Sequence, residues 1–85
     1  MLTVDNFPGF GDSEAIRLVG ALSPRERQTL DALLEGKSAK EIASLLGVSV
    51  RSAENYQSAV PKKLHASTPV DLVRLAMGAG LLPRL

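Results

Sequence analysis

Cysteine is absent from this 85-residue chain, tryptophan too, and there is a single histidine, His65. Without Cys there is no disulfide, no thiolate nucleophile and no thiolate metal site, and one His by itself makes no metal cluster. Aromatic residues are limited to Phe7, Phe10 and Tyr56, so the core is built from Leu, Val, Ile and Ala, within a hydrophobic fraction of 45%. No apolar run approaches the ~20 residues of a membrane span. A basic start followed by an apolar stretch is also missing at the N-terminus, so no secretory signal is read there. The expectation is a soluble, cytoplasmic protein with no membrane partner and no cofactor. Catalysis requires acid, base or nucleophile groups converging in a pocket. Scattered carboxylates that serve helix caps, with no glycine pattern for phosphate binding, do not supply them, and an enzyme is not expected.

The chain has the length of one small domain, which is marginally stable alone and gains from pairing through an apolar face. Net charge is only +1, but it is unevenly spread. Residues 1–22 carry Asp5, Asp12 and Glu14 against Arg17, a net −2. Residues 36–65 carry Lys37, Lys40, Arg51, Lys62 and Lys63 against Glu41 and Glu54, a net +3. This is a mild basic concentration, compatible with a nucleic-acid partner and also with an ordinary surface.

What the chain does have is a series of helix signals, each with its own cap. Residues 1–12, with Pro8, Gly9 and Gly11, show no helical period. They read as an arm, either packing its two aromatics on the domain or a partner, or a simple tail or linker end. Ser13 caps a short helix through Gly20, with Ile16 and Val19 or Gly20 on one side. The first main helix spans 24 to about 35. It opens on the capping box Ser23–Glu26, in which the Ser oxygen accepts from the third backbone N–H and the Glu returns the bond, with Pro24 pre-set at its first position. Its inner stripe is Leu30, Leu33 and Leu34. Ser38–Glu41 is a second box, opening a helix over 39–46 with Ile42, Ala43, Leu45 and Leu46 inward and Lys40 and Ser44 outward. Gly36 and Gly47 stand where helices end in a left-handed residue. Only Val48 separates Gly47 from the next cap, Ser49. So short a turn fixes the angle between two helices, as in a helix-turn-helix. The third helix starts after Ser49 and reaches about Leu64, with Ala53, Val60 and Leu64 inward and Tyr56 or Ala59 completing the stripe. Arg51, Glu54, Asn55 and Ser58 lie outward. The last spans 69 to about 79, capped by Thr68 and Asp71 and ended by Gly80. Val70, Leu72, Val73, Leu75, Ala76, Met77 and Ala79 make it apolar on two sides. A helix of that kind buries its second side as well, in a homodimer or under the N-terminal segment of the same chain.

The ordered set LSPRER from Leu22, EGKS from Glu35, KEIA from Lys40, LGVS from Leu46, RSAENY from Arg51, KL from Lys63 and LVRLA from Leu72 resembles the LuxR-type DNA-binding domain. It is most similar to the FixJ-like response-regulator branch of that family. The resemblance covers about sixty residues in order. It implies an all-α fold of four helices, here with a short N-terminal arm and helix over 1–20 ahead of the domain at 21–85. The second and third family helices form the helix-turn-helix and the fourth makes the dimer. It also implies roles: Lys40, Arg51, Ser52 and Lys63 at DNA phosphates, Glu54, Asn55 and Ser58 at base edges in the major groove, and Val70, Val73, Arg74 and Met77 in dimerisation. Plain alternatives stand beside these roles: solvated lysines at 40 and 63, an intrahelical Arg51–Glu54 pair, a solvated Asn55. Tyr56 is expected to pack with its hydroxyl at the rim, and His65 to meet the helix's last carbonyls or solvent, without chemistry.

Two departures from the family pattern matter. Pro61 falls inside the third helix, where a missing N–H and a ring crowding the Gln57 carbonyl cost about 3 kcal/mol in a regular helix. It is expected to leave residues 51–58 intact but to re-aim Lys62 and Lys63. Ala53, where the family prefers Val, weakens the core slightly. Family members usually carry a receiver or ligand-binding domain ahead of this module. About twenty residues precede it here, too few for a phosphoacceptor pocket. The chain is expected to be a stand-alone module, as its initial Met suggests, or else a part cut from something larger. The first functional reading is a sequence-specific transcription regulator binding double-stranded DNA as a dimer. The alternative is an interaction module that pairs with a related regulator or with RNA polymerase, motivated by low net charge, by Glu54 in the reading face and by Pro61.

Overall fold

The computed structural model describes residues 13–82, and the arm expected over 1–12 lies outside them. Five helices follow one another: α1 (Ser13–Gly20), α2 (Pro24–Leu34), α3 (Ala39–Leu46), α4 (Val50–Lys63) and α5 (Pro69–Gly78), with no strand among the described residues. Three begin with a closed capping box. Glu26 N–H donates to Ser23 Oγ at 3.2 Å and Ser23 N–H to Glu26 Oε1 at 2.8 Å. The same exchange joins Ser38 with Glu41 and Thr68 with Asp71. Each box satisfies donors that a helix start leaves without an internal partner.

Four of the five helix ends share one device. Gly36, Gly47 and Gly80 adopt φ between 69 and 79°, the left-handed conformation that costs glycine nothing. At the end of α4 the equivalent residue is His65, with φ 57°. There Ala66 N–H donates to the Pro61 carbonyl at 2.9 Å and His65 N–H to the Lys62 carbonyl at 3.1 Å, the paired bonds of a Schellman ending. Pro61 does not stop α4. It falls in the last turn, and Val60 and Leu64 on either side of it are both fully buried.

Two apolar clusters hold the helices. Val19, Leu30, Val60, Leu64 and Leu72 join α1, α2, α4 and α5. Ala32, Ile42, Ala43, Leu46 and Ala53 join α2, α3 and α4, with Val48 of the turn and Tyr56 packed against them. Leu33 is half-buried against both clusters. Tyr56, rather than the exposed Ala59, thus completes the inner stripe of α4.

Three placements differ from expectation. Leu45 is 57% exposed, because Ile42, Ala43 and Leu46 already fill the side of α3 facing α2 and α4 and Leu45 falls beyond its edge. Ile16 is 53% exposed, since α1 buries Ala15 and Val19, one turn apart, and packs with that side on α5. Thr29, polar in the sequence pattern, is fully buried, and its hydroxyl donates to the Arg25 carbonyl at 2.8 Å. That bond inside the helix removes the penalty of burying an unpaired hydroxyl.

Candidate nucleic-acid interface

The outward side of α4 follows from its inward side. Ala53, Val60 and Leu64 anchor one face. At 100° per residue the opposite face carries positions 51, 55, 58 and 62, spaced four, three and four. Arg51, Asn55, Ser58 and Lys62 are all exposed, and Glu54 is exposed beside them. Arg51 and Glu54 form no ion pair, so their polar groups face solvent rather than each other; the ion pairs among the described residues are Arg17–Glu14, Arg27–Asp31 and Lys63–Glu26.

The start of α4 differs from the starts of the other helices. Ser49 Oγ accepts from Ser52 N–H at 3.1 Å and donates to Ser52 Oγ at 3.1 Å. The third helical residue is Ser52 where α2, α3 and α5 have Glu or Asp, so the first turn holds no carboxylate. The partial positive charge of the helix start is left without an internal counter-charge, and Arg51 adds to it. With its oxygen already accepting from Ser49, the Ser52 hydroxyl has its hydrogen to offer an anion. Lys40, exposed at the second residue of α3, stands on the helix that precedes the turn.

The far end of α4 is committed to the fold. Lys63 Nζ lies 2.6 Å from Glu26 Oε2, and the Glu26 side chain is only 12% exposed. One carboxylate therefore serves both the capping box of α2 and the lysine of α4. The bond from Lys63, then the bond from the Ser23 backbone, hold the Glu26 carboxyl below the usual range. Glu41 is lowered chiefly by the Ser38 backbone N–H and then by the Ser38 hydroxyl, the same capping arrangement, with Lys37 a smaller influence. Lys63, expected at phosphate, is thus engaged within the domain. Lys62, given no role from sequence, shares the outward face. The signal was available: 62 continues the 51, 55, 58 series and 63 does not.

On α5, Leu72 and Ala76 are buried, while Val70 (61%), Val73 (41%) and Arg74 are exposed and Met77 is half-buried. These four share one side of the helix, since 73 and 74 lie three and four residues after 70 and 77 lies four and three residues after them. No group of three or more His, Cys, Asp or Glu capable of holding a metal occurs among the described residues, and no helix among them is long and apolar enough to cross a membrane.

Comparison with known proteins accords with this geometry. Residues 20–76 match the family described as "Bacterial regulatory proteins, luxR family". The chain is 47% identical over 64 residues to the transcriptional regulatory protein FixJ of Bradyrhizobium diazoefficiens, covering 75% of this chain and 31% of that protein. It is 42% identical over 71 residues to FixJ of Azorhizobium caulinodans, covering 84% and 34%. A crystal structure of full-length FixJ from B. japonicum superposes with a TM-score of 0.70 at 43% identity, covering 84% of this chain and 37% of that one. The chain spans about a third of the length of these curated relatives. With the helix pair, the open start of α4 and this match over most of its length, the chain belongs to the LuxR family of bacterial regulatory proteins, as a helix-turn-helix domain of the DNA-binding type.

Proposed function

We propose that this chain is a sequence-specific DNA-binding transcription regulator that acts as a dimer. The observation that carries the reading is the face of α4, where Arg51, Asn55 and Ser58 project together beside a helix start with no carboxylate of its own. Arg51, Ser52 and Lys40 meet phosphates, for which a guanidinium, a hydroxyl and a helix N-terminus are suited. Asn55 pairs with adenine through two bonds, Glu54 accepts from the cytosine amino group, and Ser58 tolerates several bases. Two copies pair through Val70, Val73, Arg74 and Met77, which doubles the contact with DNA and removes two exposed valines from water. In this reading the module acts in the cytoplasm, where its DNA is. A gel shift on duplexes selected from a random pool, at two salt concentrations, tests it. Saturable binding that weakens steeply with salt, and is lost in Asn55→Ala or Lys40→Ala, is expected. No binding at low salt overturns the reading.

The exposed Val70–Val73 stripe also favours a second reading, in which α5 pairs with a related regulator and modulates it. Co-purification distinguishes the two. A chain that protects DNA by itself and retains no partner protein excludes the second.

A further inference from the structure

We infer that Lys62, and not its neighbour Lys63, is the cation that α4 offers to DNA at the far end of its reading face, where it meets a backbone phosphate. The inference rests on the proposed reading of α4 and adds a residue to it. Lys62 lies on the same side as Arg51, Asn55 and Ser58, whereas Lys63 is rotated a further 100° about the axis and held at 2.6 Å by Glu26. Arg51 and Lys62 are separated by about 16 Å along the helix, more than the ~12 Å width of the major groove. Side chains at the start of such a helix reach base edges, and a side chain that far along emerges at the strand that borders the groove. The surface around Lys62 suits a phosphate: an open concavity lined by Ser58, Lys62, His65 and Ser67 contains no carboxylate. Pro61 contributes by position. It removes one N–H but leaves α4 helical through Lys63, so Lys62 keeps its place in the series.

Binding to a random-sequence duplex and to a selected duplex, each measured by fluorescence anisotropy across a salt series with the 85-residue chain, tests this. Lys62→Ala is expected to make the slope of log affinity against log salt shallower by about 0.9, one phosphate's worth, on both duplexes. That is a binding constant about 3.5-fold less sensitive to a fourfold change in salt. Its melting temperature stays that of the parent. Glu26→Gln, which frees Lys63 without removing its charge, is expected to lower the melting temperature and leave the slope unchanged. An unchanged slope in Lys62→Ala while the parent binds DNA overturns the inference, as does a loss confined to one base position of the selected duplex. A steeper slope in Glu26→Gln overturns the part concerning Lys63. Failure of the parent to bind either duplex instead overturns the reading of α4 on which all of this rests.

Discussion

At its N-terminal end α4 leaves hydrogen-bonding capacity over, and at its C-terminal end it has used nearly all of it. Ser49 and Ser52 cap the first turn without a carboxylate, and Arg51 is in none of the ion pairs among the described residues. Thirteen residues on, Leu64 is sealed in the core, Lys63 is tied to Glu26, and the last carbonyls are closed by a left-handed His65. A single helix thus combines a polar start without an acid and an end anchored in the core. The difference lies in local chemistry. Where α2, α3 and α5 place an acid at the third helical residue, α4 has Ser52. This gives up the return bond of a capping box and the favourable charge at the helix start, worth about 0.3–1 kcal/mol at an exposed site.

The largest effect expected from this contrast is on stability. Leu64→Ala empties a fully buried site at the anchored end and costs about 2–5 kcal/mol, enough to threaten folding of a domain this small. Val50→Ala at the other end, 42% exposed, changes stability by less than about 0.5 kcal/mol. Thermal melts followed by circular dichroism measure both, and equal losses would mean that the two ends are anchored alike. Next comes Ser52→Glu, which gives α4 the closed box of its neighbours. The melting temperature is expected to rise slightly while DNA affinity falls, since a carboxylate then stands where the proposed reading puts a phosphate. Unchanged affinity would show that the open start of α4 is not used for DNA.

His65→Gly relieves a left-handed conformation that costs a residue with a Cβ about 1 kcal/mol. A rise of roughly 4–8 °C in melting temperature is expected for a domain of this size, with DNA binding intact. A fall would mean that the imidazole makes a contribution outweighing its backbone strain. The smallest effect is in acid. Glu26 is held below its unfolded value by Lys63 and Ser23, so its contribution is complete above the ordinary glutamate range near pH 4.3 and is lost as pH falls through the lowered folded value. Glu41 follows the same sign through Ser38. Acid titration of stability is expected to be shallower in Glu26→Gln than in the parent, and an identical slope would remove the bond to Lys63 from the account.

Much of this was legible in the sequence, because caps are local. Ser23–Glu26, Ser38–Glu41 and Thr68–Asp71 each lie within one turn, and Gly36, Gly47 and Gly80 mark helix ends by a property of their own backbone. The pattern of Ala53, Val60 and Leu64 gave the inner side of α4, and with it Arg51, Asn55 and Ser58 on the outer side. What the sequence left open depends on a neighbour distant in the chain. Leu45 reads as core until Ile42, Ala43 and Leu46 are seen to fill the available contact. Ile16 reads as inward until α5 is placed against Ala15 and Val19. Lys63 reads as an unpaired lysine until Glu26 is brought to it from α2. The outward face of α4 is therefore largely readable, while the pairing of Lys63 with Glu26 is a tertiary fact.

Ala32, Ala43 and Ala53 gather in the cluster that joins α2, α3 and α4. Side chains that short have no rotamers with which to absorb a misfit, so the backbones themselves act as the spacers. The orientation at which α4 is presented is consequently set like a gauge block. Enlarging a fully buried alanine such as Ala32 pushes on the helices packed against it, and a tilt passed on to α4 grows with distance along it.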